Sequence, residues 1–481
     1  MHSILYRAAA AIAGPALLTA LLASCATNPV TGKSELSLVS ESQEIQMGQD
    51  GAKQVVSSIG LVNDPELQAY VSRIGKELAA QTERPNLPWS YQVVNEPVVN
   101  AFALPGGPVF ITRGILAHFN SEAELASVLG HESGHIAARH SVQQISRSQL
   151  AQLGLGIGSI LSPTVAQYGG LASAGLSVLF LKFSRDDESQ ADALGFRYAL
   201  SDGYDVRAME DVFKTLDRLS GPGGRVPEWQ STHPNPGNRI ADTEARLAKV
   251  TTDLNRAKLN RDAYLRHIDG LTFGDDPRQG FFEGNAFYHP DLRFRIVFPQ
   301  GWATQNLPDA VLAVSPNKDA VIQLTVGPQA PPQDAASKFL SQQGMQSSGA
   351  RGLNINGFNA AQGNFTAQTD NGPVEGLVTF LNYGGATYQI LGYTPSGKLS
   401  GYDADFRRTT QSFDRLTDQS RLNRQPATIR IITLPRQMTL GEFYQAYPSS
   451  VPVDEVALIN GVEKSSVLTR GMLVKQVVGG R

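Results

Sequence analysis

The stretch Ser121-Glu122-Ala123-Glu124-Leu125-Ala126-Ser127-Val128-Leu129-Gly130-His131-Glu132-Ser133-Gly134-His135 decides how this chain is read. Ser121 is a residue type that caps helix starts, and Glu124, three positions on, has the reach to complete a capping box. A helix is therefore predicted to begin here and to run through Leu125, Val128 and Leu129 into the histidines. Residues four apart share a helix face about 6 Å apart along the axis, so His131 and His135 can direct both imidazoles at one ion. Glu132 projects about 100° away, off the ion but within reach of a water beside it. The alternative is two surface histidines on an ordinary helix. With 8 histidines in 481 residues, His-Glu-x-x-His is expected by chance in roughly one such chain in a hundred.

A second helical segment follows downstream, Ser184-Arg185-Asp186-Asp187-Glu188-Ser189-Gln190-Ala191-Asp192. Glu188 and Asp192 are four apart and share a face. A tetrahedral zinc site with one open position needs a carboxylate ligand, and a second carboxylate can accept the Nδ1–H of a ligating histidine. A solvated acidic helix would explain these residues taken alone; the upstream histidines favour the site. A third stretch, Ser231-Thr232-His233-Pro234-Asn235-Pro236-Gly237-Asn238-Arg239-Ile240, holds His233 on a turn ahead of a proline. By itself it reads as a turn residue. Arg239 opens the next helical segment, where its guanidinium can face an oxyanion or an acidic residue. His140 lies about 180° around a continuous helix from His131, which suits a structural role.

Together these segments resemble the HtpX/BepA-like zinc metallopeptidases of metallopeptidase family 48, in the gluzincin group. The resemblance covers roughly Asn28 to Leu247. It is carried by Asn28-Pro29-Val30-Thr31-Gly32, Asn100-Ala101-Phe102-Ala103-Leu104-Pro105-Gly106-Gly107, His131 to His140, Ser184 to Asp192 and His233 to Ile240. It implies one zinc ion per chain on His131, His135 and Glu188, with Asp192 behind a ligand histidine and Glu132 as general base. It also implies that His233 is a transition-state helper or a restraining fourth ligand, with Arg239 beside it at the oxyanion. An extended substrate is expected along the edge formed by Val109, Phe110, Ile111 and Thr112, adding a strand through main-chain hydrogen bonds. Such binding selects unfolded or unpaired segments, so the expected substrates are unfolded or misassembled envelope proteins.

The bulk composition agrees with a soluble globular chain of two or three domains: 41% apolar, 18% charged, net charge -3. That balance offers no basic field to gather nucleic acid, which is excluded as a partner. Arg7 precedes an apolar run, Ala8 to Ala23, shorter than the roughly 20 residues of a membrane span. The run ends in Leu22-Ala23-Ser24-Cys25, which resembles a bacterial lipobox, and Cys25 is the only cysteine. Residues 1–24 are accordingly expected to be a lipoprotein signal peptide, with lipid on Cys25. Ala26 is not Asp, which by resemblance to lipoprotein sorting signals implies the periplasmic, inner leaflet of the outer membrane, with a polar tether over residues 25–40.

The expected fold class is multidomain. A mainly α, α+β gluzincin-type zinc metallopeptidase domain spans 41–268. The Gly-rich stretch 150–183 reads as buried or lid-like helices. After a Gly/Asp/Pro-rich boundary, period-two patterns in Leu292–Phe298, Val321–Val326 and Ala386–Leu391 mark an α+β accessory domain over 282–413. Phe298-Pro299-Gln300-Gly301-Trp302 gives it a faint resemblance to PsbP- or Mog1-like modules. Residues 429–478 resemble a LysM-like βααβ module, with Gln437-Met438 where Gly-Asp is usual; it would serve either to reach peptidoglycan or as a packing module. The rival to a protease is a lipid-anchored chaperone or scaffold of the outer membrane with a latched metal site.

Overall fold

The structure is a computed structural model that describes residues 25–152, 183–220, 229, 233, 236–369 and 372–480. The signal peptide expected over 1–24, and the stretch 153–182 read as lid-like, lie outside the described residues. The chain is a multidomain α+β protein. It divides into two compact units, one of Met1–Gly274 with Thr428–Val478 and one of Asp275–Ala427 with Gly479–Arg481.

The first unit opens with a hairpin of β1 (Cys25–Thr27) and β2 (Ser34–Leu36), antiparallel in register. The stretch expected as a free tether is therefore ordered. Asn28 closes the turn by accepting the N–H groups of Val30 and Thr31, and its Nδ2 donates to Ala138 O. Leu38 N donates to Ser146 Oγ. A polar composition does not make a segment free when its polar groups find partners of their own.

Helix α1 (Glu41–Ile59) starts in a capping box between Ser40 and Gln43. Helix α2 (Pro65–Ala79) is capped by Asp64 and buries Leu67, Val71, Ile74 and Leu78, the stripe that three- and four-residue spacing requires. Next come β3 (Ser90–Val94), β4 (Ala101–Ala103) and β5 (Pro108–Thr112), in sheet order β3-β5-β4. Helix α3 (Arg113–His118) leads to α4 (Glu122–Ala137), every residue of which is buried. A helix apolar or tightly packed on all sides belongs in a core, and α4 packs against α2, β4, α6 (Arg185–Ser201) and α7 (Ala208–Leu219). Helix α5 (His140–Gln152) follows α4, and α8 (Pro236–Leu247) and α9 (Arg261–His267) follow α7.

The terminal segment has a βααβ order. Strand Met438–Thr439 pairs antiparallel with Val467–Leu468, and helices Leu440–Ala446 and Val453–Ile459 lie between them in sequence. Leu434, Leu440, Phe443, Val456 and Leu468 form its own small core. It nonetheless belongs to the first unit, where strands Leu473–Gly479, Ala427–Thr433 and Thr272–Phe273 make one sheet. Lys475 in the last strand is wholly buried. Its Nζ donates to Ala117 O at 3.0 Å and Phe119 O at 2.6 Å, where α3 hands over to α4. Buried without such acceptors, an ammonium would be strongly destabilising.

The second unit is strand-rich. A long antiparallel sheet runs in the order Ala303–Asn306, Ala310–Val314, Val321–Val326, Ala386–Pro395, Gly372–Tyr383, Phe358–Thr369 and Met345–Ser347. Helix Pro332–Leu340 contributes Ala335, Ala336 and Leu340 to a core with Phe365, Val378 and Phe380. Phe406 of helix Leu399–Gln411 joins Leu377, Ile390 and Ile322 in another. Period-two alternation is plain in strand Phe294–Val297, where Phe294 and Ile296 are buried and Arg295 is exposed.

Candidate metal centre

The start of α4 follows from its capping residues. Ser121 Oγ accepts the Glu124 N–H, while the Glu124 carboxylate reaches back to Ser121 Oγ and, one residue further than a standard box, to the N–H of Asn120. Further along α4, side chains of ordinary size would hold α6 away from the histidines, and glycines remove that spacing. Gly130 and Gly134 on α4 face Gly195 and Ala191 on α6, and a Cβ at Gly195 would stand 2.6 Å from His131 N. The two backbones touch, and the acidic face of α6 comes within reach of both histidines.

The ligand-capable atoms of His131, His135, Glu188 and His233 all lie within 4.8 Å of one another, and all four residues are buried. His131 Nε2 and His135 Nε2 are 3.0 Å apart. Glu188 Oε2 lies 3.7 Å from His131 Nε2, and Glu188 Oε1 lies 3.5 Å from His135 Nε2. His233, which sequence alone leaves as a turn residue, comes in at 2.8 Å from Glu188 Oε1 and 3.3 Å from His131 Nε2. Glu132 stands to one side, its Oε1 3.7 Å from His233 Nε2 and 3.4 Å from the indole N–H of Trp229.

Asp192 Oδ1 is 2.9 Å from His131 Nδ1. An ionised carboxylate only accepts, so Nδ1 carries the proton and the neutral ring turns a bare Nε2 lone pair toward the cluster. Arg239 holds Asp192 from the other side, Nε to Oδ2 at 2.8 Å and Nη2 to Oδ1 at 2.6 Å. Its Nη1 is 3.3 Å from Glu188 Oε2, and its guanidinium lies between the rings of Phe213 and Trp229 at 4.4 and 4.5 Å. Of the two roles open to Arg239 the acidic partner is the one found. Expected as a catalytic residue at the oxyanion, Arg239 stands against the carboxylates of Asp192 and Glu188.

Burial pushes the His131 and His135 pKa values down to about 4, so both rings are neutral near pH 7. Burial opposes ionisation of Glu188 and Asp192 as well, but charge and hydrogen bonds prevail. His233 and His135 hold Glu188 well below the usual carboxylate range, and Arg239 with His131 brings Asp192 to about 2. Burial would lower the His233 pKa, yet the charges of Glu188 and Glu132 raise it. Neutral imidazoles beside an ionised carboxylate are the protonation states a divalent cation requires of its ligands. Glu188 Oε2 is buried and accepts no hydrogen bond. A carboxylate oxygen with no hydrogen bond, its charge met only by the ion pair with Arg239 Nη1 at 3.3 Å, beside two converging nitrogens fits a bound cation.

The expected substrate edge is corrected. Val109, Phe110, Ile111 and Thr112 belong to β5, which is the middle strand, parallel to β3 on one side and antiparallel to β4 on the other, and all four residues are buried. Its backbone groups are taken up by both neighbours. The edge belongs to β4. Thr112 N donates to Asn100 O and Leu104 N to Pro108 O, so by the alternation of an antiparallel ladder the outward-facing groups are those of Ala101 and Ala103.

Two further residues at the site were missed and one was misplaced. Trp229 stacks on His233 with ring centres 4.9 Å apart, and Phe183 stacks on His135 at 4.0 Å. His140, expected on the far side of the helix, touches His135. The signals available were thin: one of 3 tryptophans four residues before His233, and a phenylalanine directly ahead of the Ser184 cap. Cys25 has a described backbone in β1.

A buried helix that offers two imidazoles, closed by a carboxylate from an adjoining helix, makes a cluster that could hold a metal ion, with Glu132 beside it. The chain belongs to peptidase family M48. The sequence pattern of "Peptidase family M48" matches residues 65–247. The chain is 32% identical over 240 residues to the mitochondrial metalloendopeptidase OMA1 of Schizosaccharomyces pombe, covering 47% of this chain and 68% of that one. It is 31% identical over 236 residues to the beta-barrel assembly-enhancing protease of Escherichia coli (strain K12), covering 47% of this chain and 48% of the other. It thus spans about half the length of that relative. The solution structure of cyanobacterial PsbP from Synechocystis is similar at a TM-score of 0.23 and 12% identity, over 27% of this chain and 91% of that one.

Proposed function

We propose that this chain is a zinc-dependent endopeptidase of the gluzincin kind. One zinc per chain is held by His131, His135 and Glu188, with Asp192 and Arg239 behind them. The observation that carries the reading is the convergence of two ring nitrogens and a carboxylate oxygen that accepts no hydrogen bond, beside Glu132. Bound there, zinc would polarise a peptide carbonyl and lower the pKa of a water to about 7. Glu132 takes the proton from the attacking water and passes it to the departing amine. His233, between Glu132 and Glu188, serves either as a helper at the developing oxyanion or as a fourth ligand that restrains the site.

Substrate enters as an added strand on the outer edge of β4, through the backbone of the partly exposed Ala103, since Ala101 is fully buried. Recognition of backbone favours unfolded or misassembled envelope proteins, and the similarity to a beta-barrel assembly-enhancing protease supports that class. Lipid on Cys25 would hold the enzyme in the periplasm at the inner leaflet of the outer membrane. Among the described residues no helix is long and apolar enough to cross a membrane. The βααβ segment is LysM-like in order, and contact with peptidoglycan is its proposed role; the second unit, PsbP- or Mog1-like in our reading, would position substrate.

The test is metal analysis of the purified chain lacking residues 1–25, followed by cleavage of casein and of an unfolded outer-membrane protein before and after a chelator. Glu132→Gln should retain zinc and lose at least 100-fold in rate, roughly the contribution of a general base. A chain that cleaves equally well with its zinc removed is not this enzyme.

A further inference from the structure

His140 is not where a continuous helix would put it. Helix α4 ends at Ala137, and Arg139 takes a left-handed φ of 61°, unusual for a residue with a side chain. Arg139 is held in that turn by Nε donating to Glu44 Oε2 at 2.9 Å and Nη2 donating to Val39 O at 3.0 Å. The turn starts α5 at His140 and folds its ring back, so that His140 Nδ1 lies 2.9 Å from His135 Nδ1, with the rings edge to face at 73°. On its far side His140 Nε2 lies 2.8 Å from Gln190 Oε1 and 3.7 Å from Asp187 Oδ1.

One placement of the protons satisfies all of these contacts. An amide oxygen accepts, so His140 Nε2 is the donor. A neutral imidazole then has a bare Nδ1, which accepts from His135 Nδ1–H. With its proton committed there, His135 presents a bare Nε2 to the cluster. Asp192 does the same for His131 directly, so α6 governs both rings, one through Asp192 and the other through Gln190 and His140. Phe183 covers His135 at 4.0 Å, and His135 and His140 are each 1% exposed, so water does not substitute for a lost partner.

We propose that His140 and Gln190 are positioning residues of the metal centre, holding His135 in the one tautomer and orientation that offers Nε2 to a cation. The proposal rests on reading the cluster as a zinc site. Removing a group that orients a metal-bound histidine typically costs 10- to 100-fold in affinity.

The experiment measures zinc affinity by competition with a chromophoric chelator on the purified chain. Alongside it, side-chain 15N spectra of the metal-free protein report the His135 tautomer. His140→Phe should weaken zinc at least tenfold and convert His135 to a mixture of tautomers. His140→Asn, whose amide oxygen can accept the same proton, should recover most of the affinity; a merely space-filling role would favour phenylalanine over asparagine. Gln190→Met, on a half-exposed face of α6, should shift the His140 tautomer and weaken zinc a few fold, and it serves where His140→Phe does not fold. Unchanged affinity in both His140→Phe and Gln190→Met, or a His135 proton on Nε2 in the metal-free wild type, overturns the proposal. If the wild type binds no zinc, the metal-centre reading fails, while the His135 tautomer still decides whether the relay exists.

Discussion

Asp192 and His131 are joined at 2.9 Å between carboxylate oxygen and Nδ1, across two helices whose backbones touch. This bond fixes the face that His131 turns to the cluster. Asp192→Asn leaves the volume unchanged but can offer an N–H where an acceptor is needed. Zinc affinity, measured by chelator competition, should fall 10- to 100-fold, and the melting temperature of the zinc-free protein should fall as well, because the buried Arg239 guanidinium loses its ionised partner. Affinity equal to wild type would mean that Asp192 does not orient the ring.

Helix contact is the second condition. A methyl group at position 195 would stand 2.6 Å from His131 N, against backbone that cannot rotate away. Gly195→Ala should therefore push α6 off α4, destabilise the fold by about 1–3 kcal/mol and weaken zinc in step. Denaturant midpoints and zinc titration on the same preparation test whether the two losses travel together.

The edge assignment predicts a kinetic signature. Ala103→Pro removes an outward N–H from β4. One lost hydrogen bond is worth about 1 kcal/mol, so KM for an unfolded substrate should rise roughly fivefold, with zinc content and kcat nearly unchanged. A proline at 103 that leaves KM untouched moves the substrate elsewhere.

For the indole, Trp229→Phe keeps an aromatic ring against His233 and Arg239 and loses the donor 3.4 Å from Glu132 Oε1. We expect kcat to fall several-fold at constant zinc affinity, since Glu132, the proposed general base, alone loses a contact. A matching fall in zinc affinity would assign Trp229 to the ligands instead.

Acid sensitivity of the zinc-free protein follows from the depressed histidines. Folded values of about 4 for His131 and His135, against 6.5 when unfolded, mean that the unfolded chain takes up protons first as pH drops. Stability should decline from pH 6.5 toward 4. Asp192, at about 2 when folded, adds a further loss as pH falls below 3.8. His233 acts in the opposite sense, because its raised value favours the folded state at low pH and that contribution fades as pH rises. That loss falls above pH 6.5, so the decline from 6.5 toward 4 is set by His131 and His135, and urea midpoints across this range measure it.

The parts of the site that were legible in the sequence are those written within one helical turn. Ser121 and Glu124 mark the start of α4, four-residue spacing pairs His131 with His135, and the same spacing pairs Glu188 with Asp192. Strand β5 was readable as a strand but not as a central one, since that depends on Ser90–Val94 lying alongside it. His140 was misplaced because a single residue with positive φ, Arg139, breaks a pattern that composition alone continues. Arg239 could be given two partners from its position, and only packing between Phe213 and Trp229 selects the acidic one. A polar composition suggested a free segment at 25–40, whereas Asn28 ties it to the end of α4.

Lys475 has a consequence for the order of events during synthesis. Its ammonium seals the carbonyls just ahead of the helix that carries His131 and His135, yet the ribosome adds it some 340 residues after His135 (475 − 135 = 340). At ordinary translation speeds that delay is on the order of tens of seconds. A nascent chain therefore emerges with the helix of His131 and His135 still unbraced at its start, and the support closes only after residue 475 has been added.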